Sequence, residues 1–214
     1  MDEDLSIINT NTRNEKIKNF IINNKKFLLI LLILLLGIII SFFGYKEFEK
    51  SQIKKVSDQY NSIIIDHSDD TKDETTLKLI NIIKTKNSTY SPLSLYFIID
   101  NQLISNHKDV NDLFDVLINE TPLEKEIKNL IIFKKGLYNA DKVNENELLK
   151  ILRPLIGSKS IWSSHALYLT AEFFYSKNEK QKAKDFFNKV LELDNANQDI
   201  IKETRKRLSR DLSD

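Results

Sequence analysis

The chain has 214 residues with 32 Lys and Arg against 31 Asp and Glu, three His, four Gly and no Cys. This near-neutral balance argues against a nucleic-acid-binding chain, which needs an excess of clustered cations. The lack of Cys excludes disulfides, thiolate metal sites and a lipoprotein anchor, while leaving the compartment open.

Residues 1–12 are polar and aperiodic, so disorder is expected there. From Arg13, the spacing of Ile17, Phe20 and Ile21 among Lys16, Lys18, Lys25 and Lys26 predicts a short amphipathic helix at a membrane surface. The same segment also fits the n-region of a signal peptide. The following apolar run is long for a signal peptide, however, and Ser41-Phe-Phe-Gly44 offers no small-x-small cleavage site, so an uncleaved anchor is expected.

Phe27 to Phe43 holds 17 residues without a charge. As a helix it would be about 26 Å long, and Gly44 and Tyr45 extend it towards the ~30 Å hydrocarbon core. Three segments follow: a cytoplasmic head over 1–26, a transmembrane helix over 27–45 and a helical domain over 46–214. Arg13, Lys16, Lys18, Lys25 and Lys26 against Asp2, Glu3, Asp4 and Glu15 give the head +1, so the rest carries 27 of each sign. Five basic residues precede the span, and Lys46, Lys50, Lys54 and Lys55 follow it among Glu47 and Glu49, so charge leans only weakly to a cytoplasmic head. The span shows no polar pathway, which favours anchoring over transport. The helix is expected to run on through Phe48, Ile53, Val56 and Tyr60 to about Asp66.

After the acidic break 67–74, apolar spacing predicts helices over about 72–85, from Pro92 (capped by Ser91) to about Ser105, and from about 109 through Ile118. Thr121-Pro-Leu-Glu124 reads as a capping box opening a helix to about Asn139, and its partner, with Leu148, Leu149 and Leu152, stops before Pro154. A terminal helix is expected from Asn195 and Gln198 to about Leu212. No strand is predicted, because no segment alternates with turn chemistry.

The most informative stretch is His165 to Asp194. Small Ala171 and Ala183 with bulky Leu167, Phe174, Phe187 and Val190 suit two helices whose backbones approach closely, and these six residues fall at the signature spacings of a tetratricopeptide repeat. Thr170 and Asn195 depart from the leucine and proline usual there. Val110, Phe114 and Leu117 lie 73 residues before Ala183, Phe187 and Val190, and Leu149 and Leu152 lie 38 before Phe187 and Val190. Degenerate copies are therefore expected near 92–119 and 123–153. The fold class read from this pattern is all-α: one N-terminal transmembrane helix, then a tetratricopeptide-repeat-like α-solenoid.

Taken together, the segment Glu15 to Glu49, the loop Asn87 to Leu93 and the stretch Leu152 to Leu193 resemble the YfgM-like family, ancillary subunits of the SecYEG translocon with a tetratricopeptide-repeat-like domain. The resemblance implies a single-pass type II protein of the bacterial inner membrane with its C-terminal domain in the periplasm. Its implied partners are the translocon, a periplasmic folding factor such as PpiD, and client polypeptides. The function expected is a chaperone-like, protein-binding scaffold for secreted or membrane proteins; the alternative is an envelope-assembly or cell-division scaffold built on the same repeats.

An enzyme is not expected. His67, His107 and His165 are dispersed, no Gly-rich phosphate loop is present, and adjacent helical residues in Ser163-Ser164-His165 do not face one another. Neither a cofactor, a metal nor a small-molecule substrate is therefore expected. Trp162 reads as a core residue or a ligand platform. The inner helix of the last repeat would present His165, Tyr168, Glu172, Tyr175 and Ser176 on one face, able to hold an extended segment by stacking and hydrogen bonds. Tyr168 and Tyr175 could equally pack on a neighbouring helix.

Overall fold

The computed structural model describes residues 14–212; the disorder expected over 1–12 lies outside them. Every regular element among the described residues is helical. Helix α1 covers residues 14–23 and α2 covers Lys25–Ile65. A 3-10 turn at Asp69–Thr71 leads into α3 (Lys72–Lys84), α4 (Tyr90–Asp100), α5 (His107–Glu120), α6 (Lys125–Asn139), α7 (Glu145–Leu152), α8 (Ser163–Ser176), α9 (Lys180–Leu191) and α10 (Gln198–Arg210).

Contacts divide the chain into two compact units, 1–55 and 56–214. The first holds the apolar part of α2, which is long and apolar enough to cross a membrane: its best window has a mean hydropathy of 3.1 and none of it is buried in protein. Phe27, Ile38, Ile40 and Phe43 each expose more than 60% of their surface. So continuous an apolar face has no stable place in water, whereas a helix satisfies its own backbone hydrogen bonds in lipid.

The second unit begins with the last turns of α2 and contains two cores. One gathers Leu79 and Ile83 of α3, Leu95 and Ile98 of α4, Phe114 and Leu117 of α5 and Ile131 of α6, with Tyr60 and Ile63 of α2 packed against it. Tyr60 stacks at a tilt on Tyr90, whose hydroxyl donates to Ser57 Oγ at 2.6 Å. The other gathers Ile132 of α6, Leu148 and Leu152 of α7, Ala171 and Phe174 of α8, and Ala183 and Phe187 of α9. Helix α6 therefore serves both cores from adjacent positions, since Ile131 and Ile132 point about 100° apart on a 3.6-residue helix.

Each helix from α3 on packs against its successor, and α3 also touches α5, α6 touches α8, and α8 touches α10. The most extensive pairings are α8 with α9 and α3 with α4. Close approach has a local cause in each. Ala171 and Ala183 are fully buried between α8 and α9, and small Ser91 and Ser94 are fully buried on α4. Ser91 Oγ donates to the Ile82 carbonyl of α3 at 3.1 Å, while Ser94 Oγ has no partner among the described residues.

The connections differ from expectation at three helix ends. Helix α4 starts at Tyr90 because Asn87 Oδ1 accepts from the amides of Thr89 and Tyr90; Ser91 is therefore inside the helix and caps nothing. It ends at Asp100 rather than near Ser105. Gln102 turns left-handed (φ 51°), its amide reaches the Ile99 carbonyl, and the Leu103 amide reaches that of Ile98, a Schellman closure that tucks Leu103 into the core. The Thr121 to Glu124 capping box does not form: Thr121 Oγ1 donates back to Val116 O, and α6 starts only after Glu124. The terminal helix is capped by Asn197, whose Oδ1 accepts from Asp199 and Ile200 amides.

Candidate functional site

The α8–α9 hairpin is closed by Lys177-Asn178-Glu179. Asn178 adopts φ 62°, its amide bonding Tyr175 O and that of Glu179 bonding Phe174 O, again a Schellman closure. Asparagine tolerates this conformation better than most residues, so a three-residue turn suffices to bring α9 back along α8. Leu167, Ala171, Phe174, Ala183, Phe187 and Val190 are all buried, as close packing of the hairpin requires.

Of the five residues expected on the partner-binding face of α8, Tyr168, Glu172 and Tyr175 meet α10. Arg207 grips Glu172 through a two-point ion pair, Nε to Oε1 at 2.7 Å and Nη2 to Oε2 at 2.9 Å. Its guanidinium lies 5.2 Å from the Tyr175 ring centre, and Nη1 donates to Asp211 at 2.9 Å. Hydrogen bonding to Asp211, chiefly, raises the pKa of Arg207 further. Arg210 and then Arg207 hold the Asp211 carboxyl well below the usual carboxylate range. Burial pushes the Tyr168 hydroxyl up, aided by Glu172, while the ring packs edge-on against Phe187 at 5.4 Å. This part of the face is occupied within the chain itself.

His165 lies elsewhere, half-buried with Trp162 at 5.1 Å and Phe133 at 5.7 Å between ring centres. Burial lowers its pKa below the ordinary histidine value, opposed by the Ile161 backbone, and Nδ1 is buried without a hydrogen-bond partner. Trp162 stacks on Phe133, in keeping with its reading as a packing residue. Ser176 is exposed, its hydroxyl donating to Phe173 O. Ser163 Oγ sits within 2.9 Å of the Leu155 and Ser158 carbonyls, and Ser164 Oγ accepts from the Asn197 amide, so both serines tie down backbone.

A second candidate is an open groove of about 640 Å³ with α5 and α7 as walls and α6 as floor. Its polar centre is an amide pair: Asn139 Nδ2 donates to Asn111 Oδ1 at 2.9 Å, and Asn111 Nδ2 to Asn139 Oδ1 at 3.2 Å. His107 stacks on Tyr138 at 5.3 Å, and Lys142 Nζ lies 3.5 Å from the same ring's centre. Lys135 Nζ pairs with Asp115 at 2.7 Å. In sequence the groove is visible only as His107, Asn111 and Asp115 recurring every fourth residue, a pattern equally typical of a solvated helix face. The pairing of Asn111 with Asn139 across 28 residues is a tertiary fact.

Among the described residues no cluster of three or more His, Cys, Asp or Glu side chains could hold a metal ion. Comparison with protein-family models, curated proteins and solved structures returns no significant match for this chain.

Proposed function

We propose that this chain is a membrane-anchored, non-catalytic protein-binding scaffold of tetratricopeptide-repeat-like hairpins. In this reading it resides in the bacterial inner membrane with its helical domain in the periplasm, beside the SecYEG translocon, and engages emerging clients and a folding factor. The observation that supports it most is serial packing: α6 meets α8 and α8 meets α10, while α7 and α9 each return beside their predecessor. Hairpins stacked in this way leave elongated grooves suited to extended chains. The small-residue contact of Ala171 with Ala183 side by side in one core, and the apolar α2, support the repeat and the anchor respectively. Tethering contributes by raising local concentration, so each contact with a client needs little intrinsic affinity.

Photo-crosslinking from the helical domain in native membranes tests the proposal. Translocon subunits are the expected products; recovery of division or wall-assembly proteins in their place overturns it in favour of an envelope scaffold. Protease added outside spheroplasts should degrade the helical domain, and an intact domain overturns the periplasmic placement.

A further inference from the structure

We propose that the groove between α5, α6 and α7 captures an extended acidic segment of a partner polypeptide; the inference rests on the protein-binding reading and names the chemistry of its ligand. Four ammonium groups line the groove, those of Lys108, Lys135, Lys142 and Lys150, against two carboxylates. Both carboxylates are already engaged. Asp115 pairs with Lys135, and Glu147 Oε2 faces its own helix end, accepting from the Asn144 amide in a capping box. Lys108, Lys142 and Lys150 are exposed and have no carboxylate partner among the described residues.

The local field is thus positive on a helical domain whose charges otherwise cancel. Four cations against two carboxylates leave the concavity net positive, and the three lysines without a carboxylate partner attract anionic groups and steer their approach. Beneath them, beside the amide pair, lies aliphatic surface, with Ile132 buried and Ile118, Val143 and Ile151 half-buried. The Asn111 and Asn139 amides bond each other and the carbonyls of His107 and Lys135, so they shape the floor and leave selection to the rim.

An extended peptide fits both layers. Its side chains alternate with a period of two, so apolar residues would enter the floor while Asp or Glu between them meet the lysine rim. Nucleic acid fits less well, because it needs a longer basic track and has no use for an aliphatic floor.

The test uses the full chain in detergent micelles with two fluorescein-labelled probes, one alternating Glu with Leu and one alternating Gln with Leu. The Glu probe should bind about ten-fold tighter, equivalent to about 1.4 kcal/mol, and weaken as salt rises. Lys108→Glu combined with Lys150→Glu should strongly reduce that preference without changing the thermal melt, since both side chains are exposed and carry no ion pair or ring contact among the described residues; Lys142 is kept because its ammonium lies over the Tyr138 ring. Equal binding of the two probes, or an undiminished preference in the variant, overturns the proposal. So does the variant losing sedimentation with phosphatidylglycerol-containing vesicles while the wild type shows no Glu-probe preference; that result assigns the rim to a lipid surface. Crosslinking in membranes separates the two levels: partners captured without Glu-probe preference overturn only the groove, whereas no captured partner from any position overturns the scaffold.

Discussion

Gly136 is buried on α6 where α7 comes closest, and a Cβ built there would collide with Leu152 Cδ2 and lie 3.0 Å from Leu152 Cγ. Leu152 is itself fully buried and has little room to yield. Alanine raises helix propensity by about 1 kcal/mol, but overpacking a filled core costs about 1–3 kcal/mol. Gly136→Ala is therefore expected to destabilise the helical domain by up to about 2 kcal/mol in denaturant unfolding. In a double-mutant cycle the loss from Leu152→Ala should shrink when Gly136→Ala is present, because the new methyl fills part of the cavity. His165 belongs to the same scale. Its pKa is depressed by burial, so below the ordinary value near 6.5 the unfolded chain binds a proton that the folded chain resists. Stability should fall as pH drops from about 7 towards 5, and His165→Phe should flatten that slope in melts across the range.

At the scale of elements, α10 is held to α8 by charge as well as by the apolar packing of Leu208 and Leu212 against the second core. Thr204 is its only fully buried side chain, while Arg207 bridges Glu172, Tyr175 and Asp211. The Arg207 and Glu172 side chains are 28% and 25% exposed, so the pair is screened less than a surface ion pair. Arg207→Ala should speed amide exchange in α10 by about ten-fold with α8 unchanged, readable by hydrogen exchange. Acid should loosen the C-terminal end of α10, where Asp211 pairs with Arg207 and Arg210. The Asp211 carboxyl titrates lower when folded, so its contribution is complete above the unfolded value near 4 and is lost as pH falls through the folded value.

For the whole helical domain, the two cores meet on α6, and Ile118 of α5 packs against both. A shared helix couples them, so unfolding of residues 56–214 should be one transition rather than two. Ile131→Ala empties the first core and Ile132→Ala the second, each at a cost of about 2–5 kcal/mol. Both should lower the same calorimetric peak; a variant that splits it in two would show that α6 does not couple the cores.

Period and composition were enough for the helical content, for the long apolar helix near the N-terminus, and for the α8–α9 hairpin, because burial of an apolar stripe is a local pattern repeated every 3.6 residues. Helix ends were less legible. Asn87 in place of Ser91 at α4, and Thr121 bonding backwards instead of capping α6, depend on which of several competent side chains the backbone geometry reaches first. The α8 face was composed as expected, yet only the docking of α10 decided that Arg207 would occupy Glu172 and Tyr175. The groove likewise needed Lys108 of α5 and Lys150 of α7 brought to one concavity. Such proximity comes from long-range packing, and no local periodicity encodes it.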